Sequence, residues 1–147
     1  MSPDGLRARY DEIRAEVGAG VTVVVATKYV SLEDMAALAE AGIAVVGENR
    51  AQDLAEKHGR YGDVFRWHFI GHLQSRKAKA VSEVCELVHS LDSHSAAQRL
   101  TAPALVQVNL SEESTKSGIR PPELEAFLGR CPAEVRGLST KIGRAHV

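Results

Sequence analysis

Short apolar runs and longer amphipathic stretches alternate along the chain. The apolar runs predict strands at residues 21–27, 43–46, 66–70, 87–89, 104–110 and 135–139. Apolar residues three or four positions apart predict helices at residues 4–17, 32–41, 50–58, 76–86, 93–100 and from 121 onward. Strands and helices that alternate about every 20 to 30 residues are typical of βα units. The pattern therefore predicts an α/β fold with a parallel sheet, and right-handed crossovers bring the carboxyl ends of its strands to one face.

The stretch Val21–Val30 predicts a buried strand that ends on a lysine. Its first residues form an apolar, β-branched run without period-2 alternation, which is typical of a strand covered on both faces. Thr27 and Lys28 follow where this run ends, and Ser31 begins the next helical pattern. A partly desolvated lysine at the carboxyl end of a parallel strand can act as a nucleophile and form a Schiff base. The alternative is a lysine that reaches water from the end of a strand without a further role.

Polar residues stand at or just after the end of every predicted strand. They are Lys28, Asn49, His72, Ser90, Asn109 and Ser139. Because the carboxyl ends share one face, these residues are expected to form a polar ring of the kind that lines an active or cofactor site. The alternative is that short polar residues begin loops there, and Asn49 can equally cap the helix that follows it.

Composition limits the classes of partner. The chain has 147 residues, of which 44% are hydrophobic, and this is enough for one globular domain with a core. A formal net charge of −1 gives no basic excess for binding nucleic acid or an anionic membrane. No apolar run approaches the roughly 20 residues that span a bilayer, and the charged N-terminus does not resemble a signal peptide. Cys85 and Cys131 have no motif spacing, so we expect reduced thiols in a cytoplasmic, monomeric protein.

Spacing alone assigns no metal site and no catalytic triad. His68 and His72 stand four residues apart, which on a strand is about 13 Å, whereas zinc holds its ligands at about 2 Å. The loop Ser114–Gly118 contains a lysine and a glycine but not the spacing of a phosphate-binding loop. We therefore predict neither metal ligands nor catalytic residues.

Six segments occur in an order that matches a known family. They are VVVATKYVSLEDM, AGIAVVGENRAQDL, WHFIGHLQSRK, VHSLDS, VQVNLSEESTKSGI and VRGLST. Across residues 4–140 the chain resembles the pyridoxal phosphate (PLP) homeostasis proteins, relatives of the N-terminal barrel of alanine racemase. The resemblance implies a PLP-binding (β/α)8 barrel. It also implies a function, which is to bind PLP as a Schiff base and to buffer or deliver it, without turnover of amino acids.

The resemblance further implies roles for four residues. Lys28 matches the lysine that carries PLP, and Val30 replaces the second lysine of the family's Lys-x-Lys tripeptide. Asn49, His72 and Asn109 match barrel-mouth positions and are expected to line the cofactor pocket. Amines or amino acids are the expected partners that take PLP from the lysine. Two other functions stay open, namely a PLP-dependent amino-acid racemase and a non-functional fragment.

The chain is short for a complete barrel. A (β/α)8 barrel takes about 200 residues or more, and this chain supplies about five to six of the eight βα units. By resemblance, the family's C-terminal part holds the phosphate group of PLP. Residues 141–147 depart from the family's pattern after Thr140, and we expect a non-native tail there. Open strand edges are expected at residues 21–27 and 135–139.

Overall fold

A computed structural model describes residues 1–111 and 117–140 of the chain. The helices are α1 (Pro3–Val17), α2 (Met35–Glu40), α3 (Ala51–Tyr61), α4 (Ala78–Val84), α5 (His94–Arg99) and α6 (Pro121–Arg130). The strands are β1 (Val25–Ala26), β2 (Val45–Glu48), β3 (Arg66–Phe69), β4 (Leu87–Leu91), β5 (Ala104–Gln107) and β6 (Val135–Ser139). Short 3₁₀ turns lie at Gly62–Val64 and Ser75–Lys77. The expected tail at residues 141–147 lies outside the described residues.

The strands form one sheet in which they are hydrogen-bonded in chain order, from β1 to β6. The pairings β1–β2, β4–β5 and β5–β6 are parallel. The predicted α/β fold with a parallel sheet and about six βα units is therefore confirmed. The chain divides into two compact units, Met1–His68 and Phe69–Val147, and β3 contains the boundary between them.

The strand β1 is shorter and less buried than its sequence predicts. It pairs with β2 over two residues only. Val21 is 53% exposed and residues 23–25 are half-buried. The prediction of a strand covered on both faces is therefore wrong for β1. The physical reason is that β1 stands at one end of the strand order, with β2 as its single neighbour, so part of its apolar surface has no covering element among the described residues.

The strand β2 is the buried centre of the first unit, since all four of its residues are buried. The buried residues of α2 and α3 include Met35, Leu38 and Leu54. Ser31 organises the turn that leads into α2, because its Oγ accepts a hydrogen bond from the Asp34 amide at 3.1 Å and donates to Asp34 Oδ2 at 2.9 Å. The helix α2 itself begins only at Met35, with Asp34 at its N-cap position, so the helical start expected at Ser31 is a turn instead.

In the second unit, β4 and β5 supply the main core. Its fully buried apolar residues include Val88, Leu91, Ala104 and Val106. Ser93 caps α5 by accepting a hydrogen bond from the Ala96 amide at 3.2 Å. The predicted helix at residues 76–86 is a 3₁₀ turn followed by the shorter helix α4.

A close backbone approach joins the end of β5 to the segment before α6. Val108 forms a parallel bridge with Ile119, and the Asn109 amide donates to the Ile119 carbonyl at 2.9 Å. Gly118 has a φ of +116°, and a Cβ there would lie 2.8 Å from the Asn109 backbone nitrogen. A glycine is required at this position for both reasons. Its amide also donates to Asp92 Oδ2 at 3.0 Å.

The two cysteines are both free. Cys85 is buried directly after α4, and its burial, with a smaller contribution from the Glu86 carboxylate, raises the pKa of its thiol from 9.0 to about 12. Cys131 is only partly buried. No helix in residues 1–111 and 117–140 has the length and apolar character needed to cross a bilayer.

Candidate functional site

Lys28 lies immediately beyond β1, at the carboxyl end of the strand. Thr27 before it is fully buried, whereas Lys28 itself is exposed. A turn follows, in which the Val30 amide donates to the Thr27 carbonyl at 2.9 Å. The Lys28 ammonium lies 4.9 Å from the centroid of the Tyr29 ring. Lys28 is thus found at the end of a strand, as expected. Its expected partial desolvation is not found, because β1 has only one neighbouring strand.

Asn49 is the predicted site residue that the structure brings into register with Lys28. Ala26 pairs with Gly47, and both Lys28 and Asn49 stand two residues beyond this pair. Asn49 is half-buried, and its Oδ1 is enclosed without a hydrogen-bond partner in the described part of the chain. Arg50 occupies the N-cap position of α3. An enclosed acceptor without a partner is typical of a position that a bound ligand satisfies, rather than of a helix cap.

Glu48 and Lys57 form a buried ion pair directly beside this position. Lys57 Nζ lies 2.5 Å from Glu48 Oε1 and also donates to the Thr27 carbonyl at 2.7 Å. Lys57 was not among the site residues predicted from the sequence. A signal was present, because Lys57 follows Leu54 by three residues and so shares the buried face of α3.

The other two predicted site residues, His72 and Asn109, belong to the second unit. His72 follows β3 and is exposed. Asn109 follows β5 and is buried, and its Oδ1 accepts hydrogen bonds from the Ser111 amide at 2.9 Å and the Ser111 hydroxyl at 2.7 Å. In the strand order, β4 stands between β3 and β5. Asn109 thus shapes the turn that follows β5.

Two serines of the predicted polar ring differ in their environment. Ser90 is buried on β4, and its Oγ has no hydrogen-bond partner among residues 1–111 and 117–140. Ser139, at the end of β6, donates its hydroxyl to the His89 carbonyl. Ser139 therefore ties β6 to β4, whereas Ser90 has an acceptor and a donor to spare.

A cleft of about 270 Å³ lies in the second unit. It is lined by Asp92, Ser93, His94, Ile119, Glu123, Ala126, Phe127 and Arg130. The rings of His94 and Phe127 stack there, with centroids 4.6 Å apart. None of the predicted site residues lines this cleft.

Lys28 and Asn49 fit the PLP that the resemblance implies. An exposed primary amine at a strand end can reach an aldehyde, and the enclosed Asn49 Oδ1 offers an acceptor to a polar group of a ligand. Thr27 holds the backbone between these two residues, because its amide and its hydroxyl both donate to the Gly47 carbonyl, at 3.0 and 3.2 Å. In the described residues no group of three or more His, Cys, Asp or Glu side chains is placed to hold a metal ion.

The fold is shared with solved PLP-dependent and PLP-binding proteins. PipY of Synechococcus elongatus PCC7942, solved with PLP bound, is 26% identical, with a TM-score of 0.84 over 97% of this chain and 72% of PipY. An alanine racemase of Clostridium difficile 630 is 14% identical, with a TM-score of 0.72 over 97% of this chain and 41% of the racemase, and this likeness concerns the fold alone. The fold class is thus that of the PLP-binding α/β barrels, with six strands here.

Curated relatives give the more particular likeness. The pyridoxal phosphate homeostasis protein of Pasteurella multocida is 34% identical over 116 residues, which are 71% of this chain and 50% of that protein. The protein of the same name in Vibrio alginolyticus is 32% identical over 149 residues, which are 88% of this chain and 64% of the relative. No family model matches the chain. The resemblance to the PLP homeostasis proteins is confirmed, and the chain spans about half the length of the first of these relatives.

Proposed function

We propose that the chain, a homologue of the PLP homeostasis proteins, binds PLP covalently through Lys28 and takes part in PLP homeostasis. One observation carries the proposal. An exposed lysine amine and an enclosed amide oxygen without a partner stand in register at the carboxyl ends of β1 and β2. A homologous fold with PLP bound supports PLP as the ligand.

The residues of the first unit divide the work of binding. Lys28 supplies the amine, and Thr27 fixes the backbone from which it projects. Asn49 offers its unpaired Oδ1 to a polar group of the ligand and so orients the ligand against the lysine. PLP, when bound, supplies the electrophilic aldehyde and a ring that withdraws electrons.

Binding without turnover of amino acids belongs to the same proposal. Turnover needs an acid or base that can reach the reacting carbon. Glu48 lies next to Asn49, but it is fully buried and its carboxylate is held by Lys57 at 2.5 Å. It is therefore not available to move a proton at a ligand on Lys28. Release of PLP then depends on an incoming amine or amino acid.

The proposal extends to two residues of the second unit, to the domain bounds and to the state of the protein. His72 and Asn109 line the pocket by resemblance, and the exposed His72 is the one whose side chain is open to a ligand. Residues 4–140 form the PLP-binding domain. We further propose a monomeric, cytoplasmic protein, in keeping with two free cysteines.

The test is an absorbance titration of the purified chain with PLP, followed by borohydride reduction and peptide mass spectrometry. We expect a borohydride-fixed PLP adduct on the peptide that contains Lys28. Lys28→Ala should lose at least about 90% of the adduct, because no second lysine stands beside position 28. Lys79→Ala, a lysine on the exposed face of α4, should keep it.

Three results would contradict the proposal. An equal adduct in wild type and Lys28→Ala would show that surface lysines react without a site. Spectra of free PLP with every variant would show that this chain is a fragment that carries the motifs but not the function. Racemisation of alanine by the PLP-loaded chain would favour the racemase instead.

A further inference from the structure

A buried ion pair in the first unit has no part in the proposed binding of PLP. The Lys57 side chain is 8% exposed and the Glu48 side chain is 0% exposed. Removing both charges from water opposes folding, and apolar residues of similar volume are often at least as stabilising. The presence of an ion pair at this position therefore indicates a role other than stability.

The third partner of this ion pair is the backbone of the site. Lys57 Nζ donates to the Thr27 carbonyl at 2.7 Å, and the Val30 amide donates to the same oxygen at 2.9 Å. That carbonyl belongs to the peptide group that joins Thr27 to Lys28. Because a peptide group is planar, fixing its oxygen also fixes the plane of the Lys28 amide.

The end of β1 has few other restraints. Its pairing with β2 covers only two residues, and Lys28 and Tyr29 beyond it are exposed. The amide and hydroxyl of Thr27 hold the strand side of the turn through the Gly47 carbonyl. On the side that leads into Lys28, the Thr27 carbonyl accepts hydrogen bonds from Lys57 Nζ and from the Val30 amide of the turn.

We propose that Lys57, held and neutralised by Glu48, is a positioning residue that fixes the Thr27–Lys28 peptide and so sets the direction in which Lys28 meets PLP. This inference rests on the proposed function. Neither residue touches PLP in it, because both side chains are enclosed. Lys57 is therefore a second lysine at the site that acts through the backbone and not as a second amine.

The test begins with the chain free of PLP. The double variant Lys57→Met with Glu48→Gln removes both charges together and leaves no lone buried charge. We expect amide hydrogen exchange at Val30 to become about tenfold faster, because the turn loses its anchor, while the Ala41 amide at the end of α2 keeps its wild-type rate. Lys57→Gln with Glu48→Gln, which also leaves no lone buried charge, is the second variant in case the first does not fold, and it should shift Val30 in the same direction. Lys79→Met is the matched control.

The second measurement separates positioning from general loss of the pocket. We expect the rate of PLP capture by Lys28, trapped with borohydride at limiting PLP, to fall about tenfold in the double variant, because covalent reactions depend steeply on orientation. The affinity for pyridoxine 5′-phosphate, which lacks the aldehyde, should stay within about twofold of the wild-type value, since its binding needs no oriented amine.

Three outcomes are decisive. Faster Val30 exchange and slower capture with unchanged affinity for pyridoxine 5′-phosphate support the proposal. Wild-type exchange and capture, or equal losses for both ligands, overturn it. If the wild-type chain itself captures no PLP on Lys28, the proposed function fails, while the exchange rate at Val30 still decides whether Lys57 fixes the turn.

Discussion

Lys28 is held by its neighbours rather than by contacts of its own amine. The buried Thr27 is bonded through its amide, its hydroxyl and its carbonyl, so the backbone entering Lys28 is fixed. The ammonium rests over the ring of Tyr29, which is 90% exposed. A cation–π contact at an exposed site contributes about 0.5–1 kcal/mol. A ligand that bonds to the amine displaces so weak a contact easily, as the proposed capture and release of PLP by Lys28 requires.

Asn49 weakens the free fold, whereas the hydrogen bonds of Thr27 hold it. Its Oδ1 is enclosed and has no partner in the described part of the chain. Leaving a buried acceptor unsatisfied costs about 1–3 kcal/mol. A ligand that donates a hydrogen bond to Asn49 recovers this free energy, so the same atom that weakens the free fold favours the bound state.

The two cysteines should differ strongly in reactivity. Cys85 is 6% exposed and its thiol pKa is raised to about 12 by burial, whereas Cys131 is partly exposed. At pH 8 we expect iodoacetamide to modify Cys131 more than about tenfold faster than Cys85, because the thiolate is the reacting form. Peptide mass spectrometry after timed quenching measures both rates in one sample. Equal rates would contradict the buried position of Cys85.

The same thiol predicts a pH dependence of stability. The pKa of Cys85 is higher in the folded chain, about 12, than its ordinary value of 9.0. Its contribution to folding is therefore complete below pH 9 and is lost as the pH rises from 9 toward 12. Urea unfolding at pH 8 and pH 10 should show a smaller loss of stability in Cys85→Ala than in wild type.

At the scale of elements, the carboxyl ends of the strands position the residues that follow them. The paired residues of β1 and β2 end at Ala26 and Gly47, and Lys28 and Asn49 each follow this last pair by two residues. In the second unit, the bridge between Val108 and Ile119 and the contact of Gly118 with Asp92 hold residues 118–119 close to the ends of β5 and β4. Both of these restrained segments lie at the carboxyl ends of strands, where βα proteins hold their ligands.

Gly118 is the residue on which the close approach to Asn109 depends most. Gly118→Ala should lower the free energy of unfolding by about 2 kcal/mol, because its φ of +116° is strained for alanine and the new Cβ would lie 2.8 Å from the Asn109 nitrogen. Urea denaturation followed by circular dichroism measures this change.

Gly129→Ala is the matched control for this prediction. Gly129 lies in α6, and nothing stands within 4 Å of an added Cβ. Alanine favours a helix over glycine by up to about 1 kcal/mol, so this variant should be unchanged or more stable. Equal destabilisation by the two substitutions would show that the close approach at Gly118 is not the cause.

At the scale of the whole molecule, the strand order has two ends. Val21, before β1, is 53% exposed, and Leu138 on β6 is 54% exposed. Neither β1 nor β6 has a second neighbouring strand among the described residues. Strands of this kind offer free backbone groups and apolar side chains to another chain. A longer homologue has further residues available to cover them, since this chain spans about half of such relatives.

A charge on the end strand should reduce self-association. Leu138→Lys is expected to lower the light scattering of the concentrated chain several-fold, because a charged side chain opposes pairing between edges. Leu110→Lys replaces a leucine that is 66% exposed but lies outside the strands, and it should have a much smaller effect. An equal fall in scattering for both variants would attribute association to exposed apolar surface in general.

Much of the fold could be predicted because its signals are local. Ser93 caps the helix that it was predicted to begin, and the predicted strand at residues 135–139 has the observed bounds of β6. Burial was predicted less well. The apolar run before Lys28 suggested a strand covered on both faces, yet Val21 is 53% exposed. A hydrophobic side chain favours burial, but it is buried only where another element of the structure packs against it.

The sequence by itself determined the order of strands and helices, the cap of α5 at Ser93, and the place of Lys28 after a strand. Periodicity and chain position fix these features. Only the tertiary structure decided that Lys57 meets Glu48 and the Thr27 carbonyl, that Asn49 Oδ1 is enclosed without a described partner, and that Gly118 lies against Asn109. Such contacts join residues far apart in the chain, and their distances depend on how helices and loops pack against strands. No local pattern carries that information.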